Sequence, residues 1–329
     1  MLVTGGAGFI GSHVAEALVR RGHTVTVLDD LSGGFRDNLP EGVTFVAGSI
    51  TDAPLVGRLF AETSFDYVYH FAAYAAEGLS HFIKRFNYTN NVIGSVTLIN
   101  AAVNTGVKGF VFASSIAVYG STPVLPMTEA TLPHPEDSYG IAKYAVEQEL
   151  RVCRDVFGLD YIIFRPHNVY GPRQNISDRY RNVVGIFMNQ ILRGEPMTIF
   201  GDGTQTRAFS YIDDVAPLMA EAIEVDGAWS QVFNVGADEA WTLNDLARRV
   251  AAAMGAEPRI RHLPARLEVQ HAHSAHDKIR GVFGDRGHTP LDAGLDAMAR
   301  WVRARGPRPT TPFGPIEVTK NLPPSWLPA

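Results

Sequence analysis

Short apolar runs separated by longer amphipathic stretches dominate the first half of the chain. Residues 1–4, 24–28, 43–46, 65–71 and 110–113 are each rich in β-branched or aromatic side chains. Runs this short, bounded by turn residues, read as strands buried on both faces. Between them, apolar positions recur at helical spacing, predicting a helix from the turn after Thr4 to Arg21-Gly22 and a long one over residues 82–105. A proline-rich loop over residues 121–136 precedes a further helix bearing Tyr139. This strand-helix alternation predicts an α/β fold built on a doubly wound parallel sheet, where ligands bind at the carboxyl ends of the strands.

Several residues with chemistry to offer fall at those ends. Gly5, Gly8 and Gly11 lie between the first strand and its helix in G-x-x-G-x-x-G spacing. Glycines there let backbone amides approach a pyrophosphate at a helix N-terminus, whose partial positive charge favours the anion. The second strand ends in Asp29-Asp30. A carboxylate at that tip accepts hydrogen bonds from an adenosine ribose and repels a 2′-phosphate, so NAD is expected in preference to NADP. Tyr139 and Lys143 stand four residues apart on one helix face, where the ammonium is expected to lower the phenol's pKa and make it a usable base. His70, inside an apolar run, is expected to be a hydrogen-bonded core histidine.

Composition narrows the function classes. Lys and Arg total 29 against 34 Asp and Glu, a net charge of -5, which argues against a nucleic-acid partner. No apolar stretch reaches membrane-spanning length, no signal region is evident, and the single cysteine, Cys153, cannot form an internal disulfide; a cytoplasmic location without membrane attachment is expected. Cys153 is read as a packing residue. His271-x-His273-x-x-His276 lacks a cysteine or carboxylate in zinc-site spacing, and no metal is expected there.

The motifs form an ordered set: Thr4-Gly5-Gly6-Ala7-Gly8-Phe9-Ile10-Gly11-Ser12-His13, Ser114-Ser115-Ile116-Ala117-Val118-Tyr119-Gly120, Tyr139-x-x-x-Lys143, Arg165-Pro166-His167-Asn168-Val169-Tyr170-Gly171, and Phe200-Gly201-Asp202-Gly203-Thr204-Gln205-Thr206-Arg207. On these the chain resembles the extended short-chain dehydrogenases/reductases of the nucleotide-sugar epimerase/dehydratase group, over nearly its whole length. The resemblance implies a Rossmann-like NAD domain over residues 1–170, with a segment near 208–236 returning to it. A smaller mixed α/β substrate lobe would comprise 171–207 and 237–305, followed by a proline-rich arm, 306–329. Ser115, Tyr139 and Lys143 would be catalytic: Ser115 binding the reacting oxygen, Tyr139 moving its proton, Lys143 holding the nicotinamide ribose. NAD would contact Gly5, Gly8, Phe9, Ile10, Gly11, Asp29, Asp30, Ser49, Ile50, Phe71, Ala72, Ala73, Asn91, Ala113, Ser114, Pro166 and His167. A UDP-sugar would contact Asn168, Arg181, Asn182, Val183, Thr198, Phe200, Arg207 and Arg266, with His273 limiting the C2 substituent. The helices near 82–105 and 138–157 resemble those of a homodimer interface.

Within that group the reaction turns on Ile116 and Ala117. Dehydratases of the group carry Asp-Glu there, so their absence points to C4 epimerisation, with Tyr139 handling the proton alone. Ser49 stands where Asp is frequent, which shifts the adenine contact or moves it to Asp52, and Ala75 stands where galactose-type enzymes have lysine. Arg179 and Arg181 tilt the expected sugar from UDP-glucose towards UDP-glucuronate. A dehydrogenase releasing NADH, a dehydratase and a non-catalytic NAD-binding regulator remain as alternatives. In the arm, Ile316-Glu317-Val318-Thr319 and Trp326 are expected to pack against something.

Overall fold

The structure, a computed structural model, describes residues 1–310 and 313–326. The first part of the chain alternates β1 (Leu2–Thr4), α1 (Phe9–Arg20), β2 (Thr26–Asp29), β3 (Thr44–Ala47), α2 (Ala53–Glu62) and β4 (Tyr67–His70). The short helices α3 (Glu77–Ser80) and α4 (Lys84–Tyr88) follow, then a π turn at Thr89–Ile93 that runs into α5 (Gly94–Thr105). Next come β5 (Gly109–Ala113), α6 (Ser138–Phe157), β6 (Asp160–Pro166) and β7 (Val169–Tyr170).

β1 to β6 and a later strand, β11 (Gln231–Val235), form one seven-stranded sheet in the order β11-β6-β5-β4-β1-β2-β3. Every pairing in it is parallel. Successive strand residues point to opposite faces. Val3, Val27, Tyr69 and Val111 enter one apolar core, where α1 packs against α8 (Ile212–Glu221). Leu2, Leu28, Val68 and Phe110 enter the other, under α2, α5 and α6. β1, β2, β4 from Val68 on and β5 are buried, as their sequence indicated, whereas β3, paired on one side only at the sheet edge, is exposed or half-buried along its length. Chain order reverses between β1 and β4, and the crevice at that point opens at Gly5 and Ala72.

The remaining elements build a lobe over the carboxyl end of the sheet. It contains α7 (Val183–Leu192), β8 (Met197–Phe200), β9 (Thr206–Ala208), β10 (Ser210–Tyr211), β12 (Ala240–Thr242) and α9 (Leu243–Ala253). β13 (Ile260–Leu263), β14 (His271–Ala272) and α11 (Leu291–Arg305) complete it, while α10 (Asp277–Phe283) packs back on β11 of the central sheet, Phe283 against Phe164 and Phe233. β8 pairs with β13, and β9 lies between β12 and β14, so residues 197–208 sit at the lobe's centre.

The long helix expected over residues 82–105 is interrupted. It starts at Lys84 and widens into the π turn at Thr89–Ile93. Such a turn changes which side chains face inward: Asn91 is buried and fixes the Tyr74 backbone through both its amide atoms, at 2.9 and 3.1 Å.

Candidate active site

Two clefts meet at the carboxyl end of the sheet. The larger, about 620 Å³, runs over the glycine turn and is lined by Gly5, Gly8, Phe9, Ile10, Gly11, Asp29, Asp30, Ser49, Ile50, Phe71, Ala72 and Ala73. Gly5 sits at φ +71°, and a Cβ there would lie 2.6 Å from the Ala72 nitrogen. A Cβ on Gly11 would meet the Gly5 carbonyl at 2.2 Å, so only glycine lets the turn fold this tightly against α1. Gly8 caps α1 without a side-chain hydrogen bond, leaving first-turn amides for an anion. Asp29 ties the turn to the second strand: its carboxylate accepts from Ala7 N–H at 3.0 Å and Leu31 N–H at 2.7 Å. Burial is the main force raising its pKa, and those amide bonds oppose the rise. A glycine cradle, a free helix terminus and an acidic strand tip fit a dinucleotide whose ribose is unphosphorylated.

The second cleft, about 310 Å³, lies between α6 and the lobe. Phe9, Ile10, Ser114, Tyr139, Pro166, Arg181 and Asn182 line both clefts, so Tyr139 stands at their junction. Asp137 places it there: its carboxylate caps α6 by accepting from Gly140 N–H at 2.8 Å, while Tyr139 N–H donates to Ser80 Oγ at 3.1 Å. Ser115 caps the turn that follows β5, its Oγ accepting from Ala117 N–H at 3.1 Å, and its hydroxyl lies close enough to the Tyr139 phenol to lower its pKa. Lys143 is buried, and its Nζ donates to the Ala113 carbonyl at 2.7 Å.

The electrostatics depart from the expectation that Lys143 lowers the tyrosine. Burial raises the Tyr139 pKa, the Glu77 charge raises it further, and the Ser115 hydroxyl and the Arg181 charge pull it down. Burial also drives Lys143 down to about 7, against the Glu147 charge that supports it. In the free protein Tyr139 is therefore a neutral phenol at neutrality.

In the second cleft Thr198 and Phe200 face inward from β8 while Met197 and Ile199 are buried behind them. Asn168, Val183, Arg207 and Arg266 line the same space. The Arg266 guanidinium lies 4.5 Å from the centre of the Phe200 ring and pairs with Glu268 at 2.9 Å. Arg207 donates to the carbonyls of Thr206, Val269 and Gln270, which fixes its fork without neutralising it. Asn182, at φ +65°, turns the chain into α7, whose first residues reach the cleft wall. A flat aromatic wall beside two arginines suits a base followed by a diphosphate.

The profile of the NAD dependent epimerase/dehydratase family matches residues 1–236. A UDP-glucose 4-epimerase of Mycolicibacterium smegmatis is 36% identical over 309 residues, covering 92% of this chain and 98% of its own. This chain belongs to the NAD-dependent epimerase/dehydratase family. Among solved structures, the UDP-glucose 4-epimerase of Thermotoga maritima with UDP-glucose superposes with a TM-score of 0.88 at 36% identity, covering 92% of this chain and 98% of that one. The UDP-glucose 4-epimerase of Thermus thermophilus in complex with NAD gives 0.86 at 34%, with the same coverage. NAD is the cofactor of this family, and the first cleft fits it.

Three residues that the family resemblance assigned to ligands stand apart from both clefts. Asn91 is turned inward by the π turn, and Asn90 takes the place on the cofactor wall. His167 is buried, stacked 5.2 Å from His276, with its Nε2 3.0 Å from His276 Nε2 and its Nδ1 3.2 Å from the Ala208 carbonyl. His276 in turn bonds Asp238 at 2.6 Å. His273 leaves the cleft because its segment is drawn away by the β14–β9 pairing and by Met127, whose N–H donates to the His273 carbonyl at 3.0 Å; Leu267, Glu268 and Val269 form the wall instead. Asp52 is engaged as the cap of α2, accepting from Leu55 N–H at 3.0 Å, while Ser49 and Ile50 line the cofactor cleft. His70 bonds Thr4 Oγ1 at 2.7 Å and Ser95 Oγ at 2.8 Å, as its apolar run suggested. Cys153 is buried, and burial raises its thiol to about 11.

Tyr139 is not the sole acid in the cleft, although Ile116 and Ala117 are buried and supply none. Glu77 and Asp137 line it, contributed by α3 and by the loop before α6. Glu77 meets solvent through the cleft mouth, and desolvation by the surrounding walls, then the Asp137 charge, raise its pKa while Arg207 and Arg266 lower it. Its signal in the sequence was a lone charge in a loop of small residues, Ala72-Ala73-Tyr74-Ala75-Ala76, directly after a ligand-facing strand end.

Proposed function

We propose that this protein interconverts a UDP-hexose and its C4 epimer, on one observation: Tyr139 stands where a dinucleotide cleft joins a second cleft, lined by Ser115 and suited to a nucleoside diphosphate. When bound, NAD supplies the hydride acceptor and donor. The chain's own residues do the rest. Tyr139 takes the proton of the sugar 4-hydroxyl and later gives it back; Ser115 Oγ holds the same oxygen; Arg207 and Arg266 hold the diphosphate while the 4-keto sugar turns between its two faces. Lys143, its Nζ donating to the Ala113 carbonyl, is held as a hydrogen-bond donor on the same helix face as the tyrosine.

The charges around the sugar favour a neutral hexose. Arg181 is paired with Asp178 at 2.7 Å, and Arg179 donates to the Ser325 carbonyl, so both arginines that suggested a uronic acid are engaged. Glu77 and Asp137 meanwhile present carboxyl groups to the same cleft, where they repel a C5 carboxylate and accept hydrogen bonds from hydroxyls. Turnover of UDP-galactose and UDP-glucuronate, compared as kcat/KM, tests this. UDP-galactose should exceed the uronate by at least about tenfold, the effect of a modest like-charge repulsion; a uronate preference sinks the neutral-hexose reading.

A homodimer is part of this proposal. Ile141, Val152 and Val156 on α6, together with Ile93 beside α5, are exposed apolar residues. Their spacing on α6 puts them on one helix face, a surface suited to a second copy.

A further inference from the structure

Beyond α11 the C-terminal arm comes back to the cofactor cleft. Phe313 and Gly314 stand in the wall of the cofactor cleft. The Phe313 ring lies 4.8 Å from Phe86 and 5.1 Å from Tyr74, both cofactor-cleft residues, and its N–H donates to Tyr180 Oη at 3.0 Å. Glu317 accepts from the backbone N–H groups of Arg85 at 2.7 Å and Phe86 at 2.9 Å, while the N–H groups of Glu317 and Val318 donate to the Phe82 carbonyl. Trp326 is buried at 3% exposure, edge-on to Tyr180 at 5.2 Å and Phe200 at 6.0 Å, with the Arg266 guanidinium 5.6 Å from its ring. The arm is thus fastened on one side to the helices after β4 and on the other to the lobe that carries Phe200 and Arg266.

We propose that the arm is part of the cofactor site: Phe313 is an NAD-contacting residue, and the arm, pinned by Glu317 and Trp326, is a strap that retains NAD between turnovers. Displacing the Phe313 wall requires breaking the aromatic contacts to Phe86 and Tyr74 and the bond to Tyr180 together, because one segment carries them all. An enzyme that hands a hydride back to the same sugar has use for such a strap, since a cofactor lost in its reduced form ends the cycle. The inference rests on the family's NAD and not on which sugar is turned over.

The test reads NAD loss directly, without substrate. Full-length protein loaded with NAD is desalted, and the bound NAD is quantified after acid release at intervals, for the parent, Phe313→Ala, Phe313→Tyr, Trp326→Ala and, as a control on an exposed loop, Leu132→Ser. NAD should leave Phe313→Ala on the order of tenfold faster, the effect of losing one aromatic contact. Trp326→Ala should also accelerate loss, whereas Phe313→Tyr and Leu132→Ser should match the parent, all with the parent's circular dichroism. Parental NAD loss in both alanine variants overturns the strap, as does acceleration in Phe313→Ala that Phe313→Tyr fails to recover.

Discussion

Burial moves the two ends of the Tyr139–Lys143 pair in opposite directions, raising the phenol and lowering the ammonium to about 7. Neither shift helps a base, so the forces on Tyr139 that can be relieved matter most. Glu77 is the largest charge effect among them, and it acts to raise the tyrosine. Removing a nearby negative charge stabilises the phenolate. Glu77→Gln should therefore move the basic-going limb of the pH-rate profile, on which activity rises as Tyr139 ionises, to lower pH. Epimerisation rates measured across pH check this, and an unmoved limb shows that Glu77 does not face the tyrosine in the working enzyme. The spacing of Tyr139 and Lys143 was legible in the sequence; the sign of their electrostatics was not, because it is set by burial and then by the Glu77 charge, which only the fold brings about.

At the scale of elements, α6 is locked to the sheet by a fully buried ion pair. Arg165 on β6 and Glu147 on α6 are 2% and 0% exposed, Ser114 Oγ donates to the same carboxylate, and the Arg165 guanidinium lies 4.7 Å from the Tyr119 ring centre. Glu147 also supports the charge on Lys143 one turn away. Glu147→Ala leaves Arg165 buried without its partner, which typically costs about 3–5 kcal/mol, read as a loss in urea denaturation. The double variant Glu147→Leu with Arg165→Met should recover most of that loss while leaving activity low. Element types followed from periodicity, yet the π turn after α4 did not, since the sequence there is helical throughout. That turn, with the β14–β9 pairing, accounts for why Asn91 and His273 lie elsewhere than expected: both depend on register, which a periodic pattern leaves open.

Across the whole molecule, the parallel sheet and the glycine turn were legible from short apolar strands and glycine spacing, whereas the strand order, and with it the switch point between β1 and β4, was not, because chain order alone does not fix which strands pair. The second cleft was legible only through the family likeness, because its wall comes from β8, α7 and the segment around Arg266, far apart in sequence. The arm's return to the cofactor cleft has no periodic signal at all; only Trp326 and the apolar residues around Ile316 hinted that it packs. The proposed dimer is tested at this scale. Introducing charge at the exposed face of α6 with Val152→Glu should yield a monomer in analytical ultracentrifugation, with folding intact, and an unchanged sedimentation coefficient rules that face out.

In the proposed reaction one protein molecule, carrying its own NAD, removes and returns the same hydride at sugar C4 with Tyr139 moving the proton. UDP-galactose deuterated at C4 is the most direct probe, incubated with the purified protein and no added cofactor. An equilibrium mixture with UDP-glucose is expected in which the deuterium stays at C4, together with a loss of rate of roughly 10²–10⁴-fold in Tyr139→Phe, the usual range for a general acid-base group. Free reduced cofactor accumulating in step with substrate loss, or a dehydrated sugar as product, would contradict it.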